Sequence, residues 1–411
     1  MIFKRQAIFW SCLFLFIVGF TLHIHQLFAM SASLACLPLI ARLLPRGKLK
    51  GLEVERQAPQ AVTAGEKIGV DLLVRNVAHL RKIFFSVADG MREELGPPRR
   101  QEFPIAILGP GEETRLHYEA QTTRRGVHQL GPVTLSTSDP VGLQQYERTL
   151  PLAGEVLVYP PAVHLPYAWP TSHGGAQPMR PRRRLRGEGD ELYGIRDYVP
   201  GDDPRRISWK SSAHRGKLAV VEYERPESLQ GMILLDLGRQ WHAGEGDRHT
   251  LEYGVLLAAS LVEQAYERGS TVGLIAGGAQ DFSCPSLAEL DQRLRLYEAL
   301  ARVQPDGQAA LMTVLAEHED LLLPHSTFAV ISPSPEAGPV ATYLRGLGHA
   351  VAWFVLDVNT FGTGRQADYA PLLMELAATR CAMRPIRGDR PLAANWGGLA
   401  QRGGGDVAAG S

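Results

Sequence analysis

The hydrophobic rhythm changes along the chain. Residues 7–44 are almost free of charge: Ala7 to Leu22 is one apolar run and Leu27 to Leu44 a second, broken by Pro38 and Arg42. His23-Ile24-His25-Gln26 lies between them. A helix needs roughly 17–25 apolar residues to cross a bilayer, so the pattern predicts a hairpin of two short transmembrane helices over residues 1–50. Lys4 and Arg5 precede the first run, and Arg42, Arg46, Lys48 and Lys50 follow the second. The excess of positive charge at both ends puts them, and the soluble domains that follow, in the cytoplasm at an inner membrane. A single signal anchor or a cleaved signal peptide is the plainer alternative, and Ser33-Leu34-Ala35-Cys36 faintly resembles a lipoprotein cleavage site. The apolar run continues past Cys36, which favours the hairpin.

Over residues 51–160 the rhythm becomes short alternating stretches between turns. Ile68 to Leu72, Ile83 to Val87, Leu116 to Ala120, Val133 to Leu135 and Val156 to Val158 read as strands. Ala64-Gly65-Glu66, Pro110-Gly111-Glu112 and Asp139-Pro140-Val141-Gly142 read as turns. Strands at this spacing predict a small antiparallel, immunoglobulin-like β-sandwich. Residues 161–186 read as a linker rich in Pro and Gly that becomes basic from Arg180 to Arg186. That run suits a solvated leader, an anionic-lipid contact or a phosphate contact. It lacks the interleaved aromatics used to stack on bases.

After Glu224, continuous apolar strands alternate with helical stretches. Gly231 to Asp236, Thr271 to Ala276, Thr327 to Ile331 and Val351 to Leu356 read as strands. Thr250 to Arg268, Ser286 to Arg302 (with Ser286 as cap), Gln308 to Leu322, Ala337 to Leu347 and Pro371 to Arg380 read as helices. This predicts a mostly parallel sheet covered on both faces, over residues 187–400, before a Gly- and Ala-rich disordered tail, 401–411. Ligands of such sheets sit at the carboxyl ends of strands, where Asp236 falls.

Residues 187–224 are dense in charge of both signs around Tyr193, Tyr198, Ile207, Trp209 and Tyr223. Glu191 to Tyr198 and Leu218 to Glu224 read as strands. Asp203-Pro204 reads as the start of a short helix reaching about His214, and Gly216 as its end. Glu188, Asp190, Glu191, Asp197, Asp202 and Asp203 could gather a hydrolytic metal site. Arg196, Arg205, Arg206, Lys210 and Arg215 lie within the same segment and would neutralise them, which favours a salt-bridged hairpin.

This segment resembles the signature of the family catalogued as domain of unknown function fifty-eight, in its Gly187, Glu188, Arg196, Tyr198, Gly201, Asp202, Arg205 or Arg206, Ile207, Trp209, Lys210, Ser212, Ala213 and Gly216. Leu192 stands where an aromatic is usual, and His214 where an Arg is. Arg124-Arg125-Gly126 and Asp139-Pro140 to Leu143 are similar to features of the same family's sandwich. The resemblance implies a von Willebrand factor A-like α/β domain, in which a D-x-S-x-S sequence after the first strand helps to hold a divalent cation. Asp236-Leu237-Gly238-Arg239-Gln240 keeps the Asp but not the hydroxyls, and Ser332-Pro333-Ser334 lacks the acid often found after the third strand. No cofactor is therefore expected, with Mg²⁺ at Asp236 as the weaker alternative. The resemblance also implies a MoxR-type AAA+ ATPase as partner.

Composition adds little. Forty-three basic and 43 acidic residues cancel, so no global field points to nucleic acid, and Cys12, Cys36, Cys284 and Cys381 show neither metal spacing nor pairing. Phosphate-loop, dinucleotide, zinc-protease and nucleophile-elbow motifs do not occur. The chain therefore reads as a membrane-anchored, non-enzymatic adaptor in assembly or maturation of protein complexes. Its interaction or structural residues are Glu188, Arg196, Tyr198, Gly201, Asp202, Arg205, Trp209 and Lys210. A metal-dependent hydrolase and an exported envelope structural protein are the rivals.

Overall fold

The structure is a computed structural model that describes residues 2–43, 49–92, 99–138, 145–166, 169, 185–198, 207–225, 230–286, 291–324, 326–362 and 365–396. The chain divides into two units, Met1–Tyr159 and Pro160–Ser411.

The first unit opens with two antiparallel helices, α1 (Ile2–Leu22) and α2 (His25–Leu43). His23, at φ 54°, makes the reversal. Ser31 Oγ donates to Cys12 O at 3.0 Å, and the rings of Phe16 and Phe28 meet edge-on at 5.4 Å. Among the described residues, no helix is long and apolar enough to cross a membrane. The expected transmembrane hairpin, and with it a multi-pass inner-membrane location, is therefore corrected. The cause is length. Lys4, Arg5 and Gln6 occupy the start of α1, and its apolar part, Ala7 to Leu22, rises only about 24 Å against a hydrocarbon core of about 30 Å. His25, Gln26, Ser31, Ser33 and Pro38 interrupt the apolar run of α2.

Strands follow among the described residues: β1 (Leu52–Gln57), β2 (Ala61–Thr63), β3 (Lys67–Asn76), β4 (Lys82–Arg92), β5 (Arg99–Leu108), β6 (Glu113–Gln121), β7 (Gly126–Leu130), β8 (Val133–Ser138), β9 (Gln145–Leu150) and β10 (Gly154–Tyr159). One sheet has the order β1-β3-β6; the other runs β2-β10-β7-β4-β8-β9, with β5 also on β4. Pairing is antiparallel except between β2 and β10, which departs from the all-antiparallel expectation. Alternation puts Ile68, Val70, Leu72 and Val74 inward, against Val87, Val133, Leu135 and Val156. A buried ion pair joins the sheets: Arg56 on β1 clasps Asp89 on β4, and Tyr118 on β6 donates to the same carboxylate at 2.9 Å. Arg56 also donates to Leu152 O at 2.8 Å and to Gly131 O at 2.6 Å. The Asp139–Leu143 feature lies outside the described residues.

In the second unit the stretch expected to be a linker is partly structured. Val163 N donates to Ser260 Oγ at 3.0 Å, and Trp169 Nε1 donates to Leu261 O at 3.1 Å. The Trp169 ring packs where a Cβ on Gly231 would come within 2.7 Å, so position 231 admits no side chain. Next come an antiparallel pair, β11 (Leu185–Asp197) and β12 (Ala219–Arg225), and between them the helix α3 (Trp209–Arg215). The rest comprises β13 (Gln230–Leu235), the two-residue strands β14 (Gly244–Glu245) and β15 (Arg248–His249), α4 (Thr250–Tyr266), β16 (Thr271–Ala276), β17 (Phe282–Cys284), α5 (Gln292–Arg302), α6 (Leu311–Glu317), β18 (Thr327–Ser332), α7 (Gly338–Gly346), β19 (Ala350–Asp357), α8 (Ala370–Ala378) and β20 (Ala382–Arg387).

The main sheet has the order β17-β16-β13-β18-β19-β20, parallel throughout except for β17 at one edge. Its strands bury both faces. Ile233 and Leu235 pack with α4 and α5, while Met232 and Leu234 pack with α6, α7 and α8. Helix α5 starts at Gln292 rather than Ser286, because Ser286 is drawn into the sheet edge, donating to Thr271 Oγ1 at 2.9 Å.

Candidate functional site

The charged hairpin is held from its backbone. Tyr198 N donates to Leu218 O at 2.8 Å, Ser208 N to Ala219 O at 2.8 Å, and Ile207 bridges Val220. Helix α3 begins at Trp209 with Ser208 as its cap; the start expected at Asp203 lies outside the described residues. The Ser208 Oγ accepts from Ser211 N, and Gly216 closes the helix at φ 66°. Ser212 fastens α3 to β12: its hydroxyl donates to Ser208 O at 2.8 Å and accepts from Ala219 N at 2.9 Å.

That scaffold presents rather than hides its aromatic. Trp209 is 69% exposed and Leu218 44%, with Lys210, His214 and Lys217 exposed beside them and Tyr198 half-buried. Of the other residues singled out, Glu188 and Arg196 lie on β11, while Gly201, Asp202 and Arg205 fall outside the described residues.

A second constellation sits at the carboxyl ends of β13 and β18. Asp236 is buried, and both its oxygens are engaged: Ser332 Oγ donates to Oδ2 at 2.5 Å, and Gly238 N to Oδ1 at 2.9 Å. Burial pushes the Asp236 carboxyl above the usual carboxylate range, partly offset by these two donors. The next layer is equally built. Ser334 N donates to Ser332 Oγ at 3.0 Å, and Tyr369 Oη lies 2.8 Å from Pro333 O and 3.0 Å from Leu356 O. His242 sits between the Asp236 carbonyl, 2.8 Å from Nε2, and the Thr250 hydroxyl, 2.9 Å from Nδ1. Backbone bonds between Arg239 N and Gly307 O, and Gly307 N and Leu237 O, hold the loop after β13 against the connection between α5 and α6.

This donor set does not fit a divalent cation. A cation at Asp236 needs further oxygens turned toward it. Here a backbone N–H meets one carboxylate oxygen and a hydroxyl hydrogen the other, and Gly238 and Gln240 stand where the two hydroxyls of the implied sequence would be. Sequence reasoning missed Ser332 as the partner of Asp236; the signal was its place at the end of the strand beside β13.

"Uncharacterized protein YeaD" of Bacillus subtilis (strain 168) is 24% identical over 270 residues, covering 62% of this chain and 63% of the relative. The chain thus spans less than two-thirds of that relative's length. Solved structures align at low scores. The CARDB domain of PF1109 from Pyrococcus furiosus shares 18% identity over 26% of this chain and 94% of that one, at a TM-score of 0.20. The Pseudomonas fluorescens alkylpurine DNA glycosylase AlkC shares 17% over 33% of this chain and 39% of its own, at 0.21. Residues 194–330, from the last residues of β11 into β18, match the family described as "Protein of unknown function DUF58".

Proposed function

We propose that this protein is a non-enzymatic interaction adaptor whose hairpin β11-α3-β12 docks a protein partner, and that a MoxR-type AAA+ ATPase is that partner, in assembly or maturation of protein complexes. The observation that carries this reading is the exposure of Trp209 on a helix whose ends and base are otherwise fixed by hydrogen bonds. A large aromatic left in water beside cationic side chains is the composition of an interface anchor. Asp202, Arg205 and Lys210 would add charge-assisted bonds around it. The α/β unit is read as von Willebrand factor A-like, supported by its strand order and by Asp236 at the end of the central strand.

Affinity capture with the full chain, with and without Asp202→Ala and Trp209→Ala, tests the reading. Loss of a co-purifying ATPase with either substitution supports it; equal recovery with all versions contradicts the docking role. Turnover of a small substrate by the purified chain, abolished when the acids of the segment are neutralised, would instead establish the hydrolase.

A further inference from the structure

The backbone of the hairpin brings two exposed apolar residues to the same place. Ile207 bridges Val220, and Ser208 N donates to Ala219 O at 2.8 Å. Continuing that antiparallel register sets Trp209 opposite Leu218, and both are left in water. Around them α3 turns Lys210, Ala213 and His214 outward while Ser212 is buried, and the chain after Gly216 adds exposed Lys217. The charge of this face has one sign. Residues 207–219 contain Lys210, His214, Arg215 and Lys217 and no Asp or Glu. Neither Lys210 nor Lys217 makes an ion pair with a described residue, whereas exposed Asp197, across from Ala219, is already engaged.

We infer that this face takes a protein surface of one kind: an apolar socket rimmed by Asp and Glu side chains. The inference rests on the docking role proposed for the hairpin and names the chemistry of what docks there. Trp209 and Leu218 enter the socket and exclude water, and carboxylates of the partner meet Lys210 and Lys217 at its rim. Rim charges act mainly on how fast a partner arrives, and a buried anchor on how slowly it leaves. A nucleic acid is anionic too, but single strands are held by stacking successive bases on several aromatics. Trp209 has no second exposed aromatic beside it among the described residues of the hairpin, since Tyr198 is half-buried.

The test measures association and dissociation rates of the purified full chain with a purified MoxR-type ATPase. Rates are taken at low salt and at about 1 M salt, where the screening length is about 3 Å. The parent is compared with Trp209→Ala, with Leu218→Ala, and with Lys210→Glu and Lys217→Glu made together. Lys210→Gln with Lys217→Gln replaces the reversed pair if that variant melts early. The expected result is association slowed about tenfold or more by the reversed lysines at low salt, with little difference left at high salt. Trp209→Ala and Leu218→Ala are expected to speed dissociation at both. Association that is unchanged or faster with the reversed lysines, while Trp209→Ala still weakens binding, overturns the acidic rim and leaves the docking role standing. No effect of Trp209→Ala on either rate removes the docking role and this inference with it. A fluorescent oligothymidylate that binds the parent chain but not Trp209→Ala overturns it as well.

Discussion

The Ser332 hydroxyl donates to Asp236 Oδ2 across 2.5 Å, tying together the carboxyl ends of the two central strands. Because both groups are buried, removing the donor strands an acceptor away from water. Ser332→Ala is expected to cost about 1–3 kcal/mol, read as a lowered urea midpoint with an unchanged slope. Midpoints equal to the parent chain would show that the pair carries no stability.

The same carboxyl sets a pH dependence. Burial raises its folded pKa above an unfolded value of about 3.9, so the folded chain binds this proton more tightly than the unfolded one. The stability it contributes is full below the unfolded pKa and is lost as pH rises through the folded pKa. Asp236→Asn carries no such titration. Relative to the parent chain, the Asn variant is therefore expected to gain stability as pH is raised from acid toward neutral, checked by urea midpoints at stepped pH. A difference that is flat, or that falls with pH, contradicts the assignment.

In the sandwich, Asp89 accepts from Arg56 and Tyr118 with its side chain fully shielded. Asp89→Ala leaves a guanidinium buried without its counter-charge and is expected to cost about 3–5 kcal/mol. Replacing all three together, Arg56→Met with Asp89→Leu and Tyr118→Phe, removes the uncompensated charge, leaving only the Leu152 and Gly131 carbonyls without their donor, and is expected to cost less than the single change. Calorimetric melting of both variants decides between them.

Ser212 makes two bonds that hold α3 on β12. Ser212→Ala is expected to lower stability by about 1–3 kcal/mol. Trp209→Ala, at an exposed position, is expected to change it by no more than about 0.5 kcal/mol. Thermal melts of the two variants side by side check this contrast; equal losses would mean that Trp209 is a packing residue.

The sequence was legible wherever burial was two-sided or strictly alternating. Continuous runs such as Met232 to Leu235 and Phe328 to Ile331 declare central strands, and Ile68 to Val74 declares a half-buried one. Edge elements were not legible. The last strand, Ala-Met-Arg-Pro-Ile-Arg, buries Ile386 fully while most of its other side chains face water, so it carries no period, and the three-residue β17 carries less. One helix start failed for a related reason. Ser286 has the chemistry of a cap, but a tertiary hydrogen bond to Thr271 claimed it. The apolar N-terminal runs misled by composition, since neither helix they form is long and apolar enough to cross a membrane. At the candidate site, Asp236 stood out in the sequence, whereas Ser332 became its partner only through a pairing of strands nearly a hundred residues apart.

The central claim is that the charged hairpin holds another protein through Trp209. Its most direct measurement is the equilibrium affinity of the purified full chain for a purified MoxR-type ATPase, compared with that of the Trp209→Ala variant at matched thermal stability. The account predicts a loss of about 30-fold or more, corresponding to about 2 kcal/mol, with unchanged melting. Affinity that is the same for both chains would contradict it.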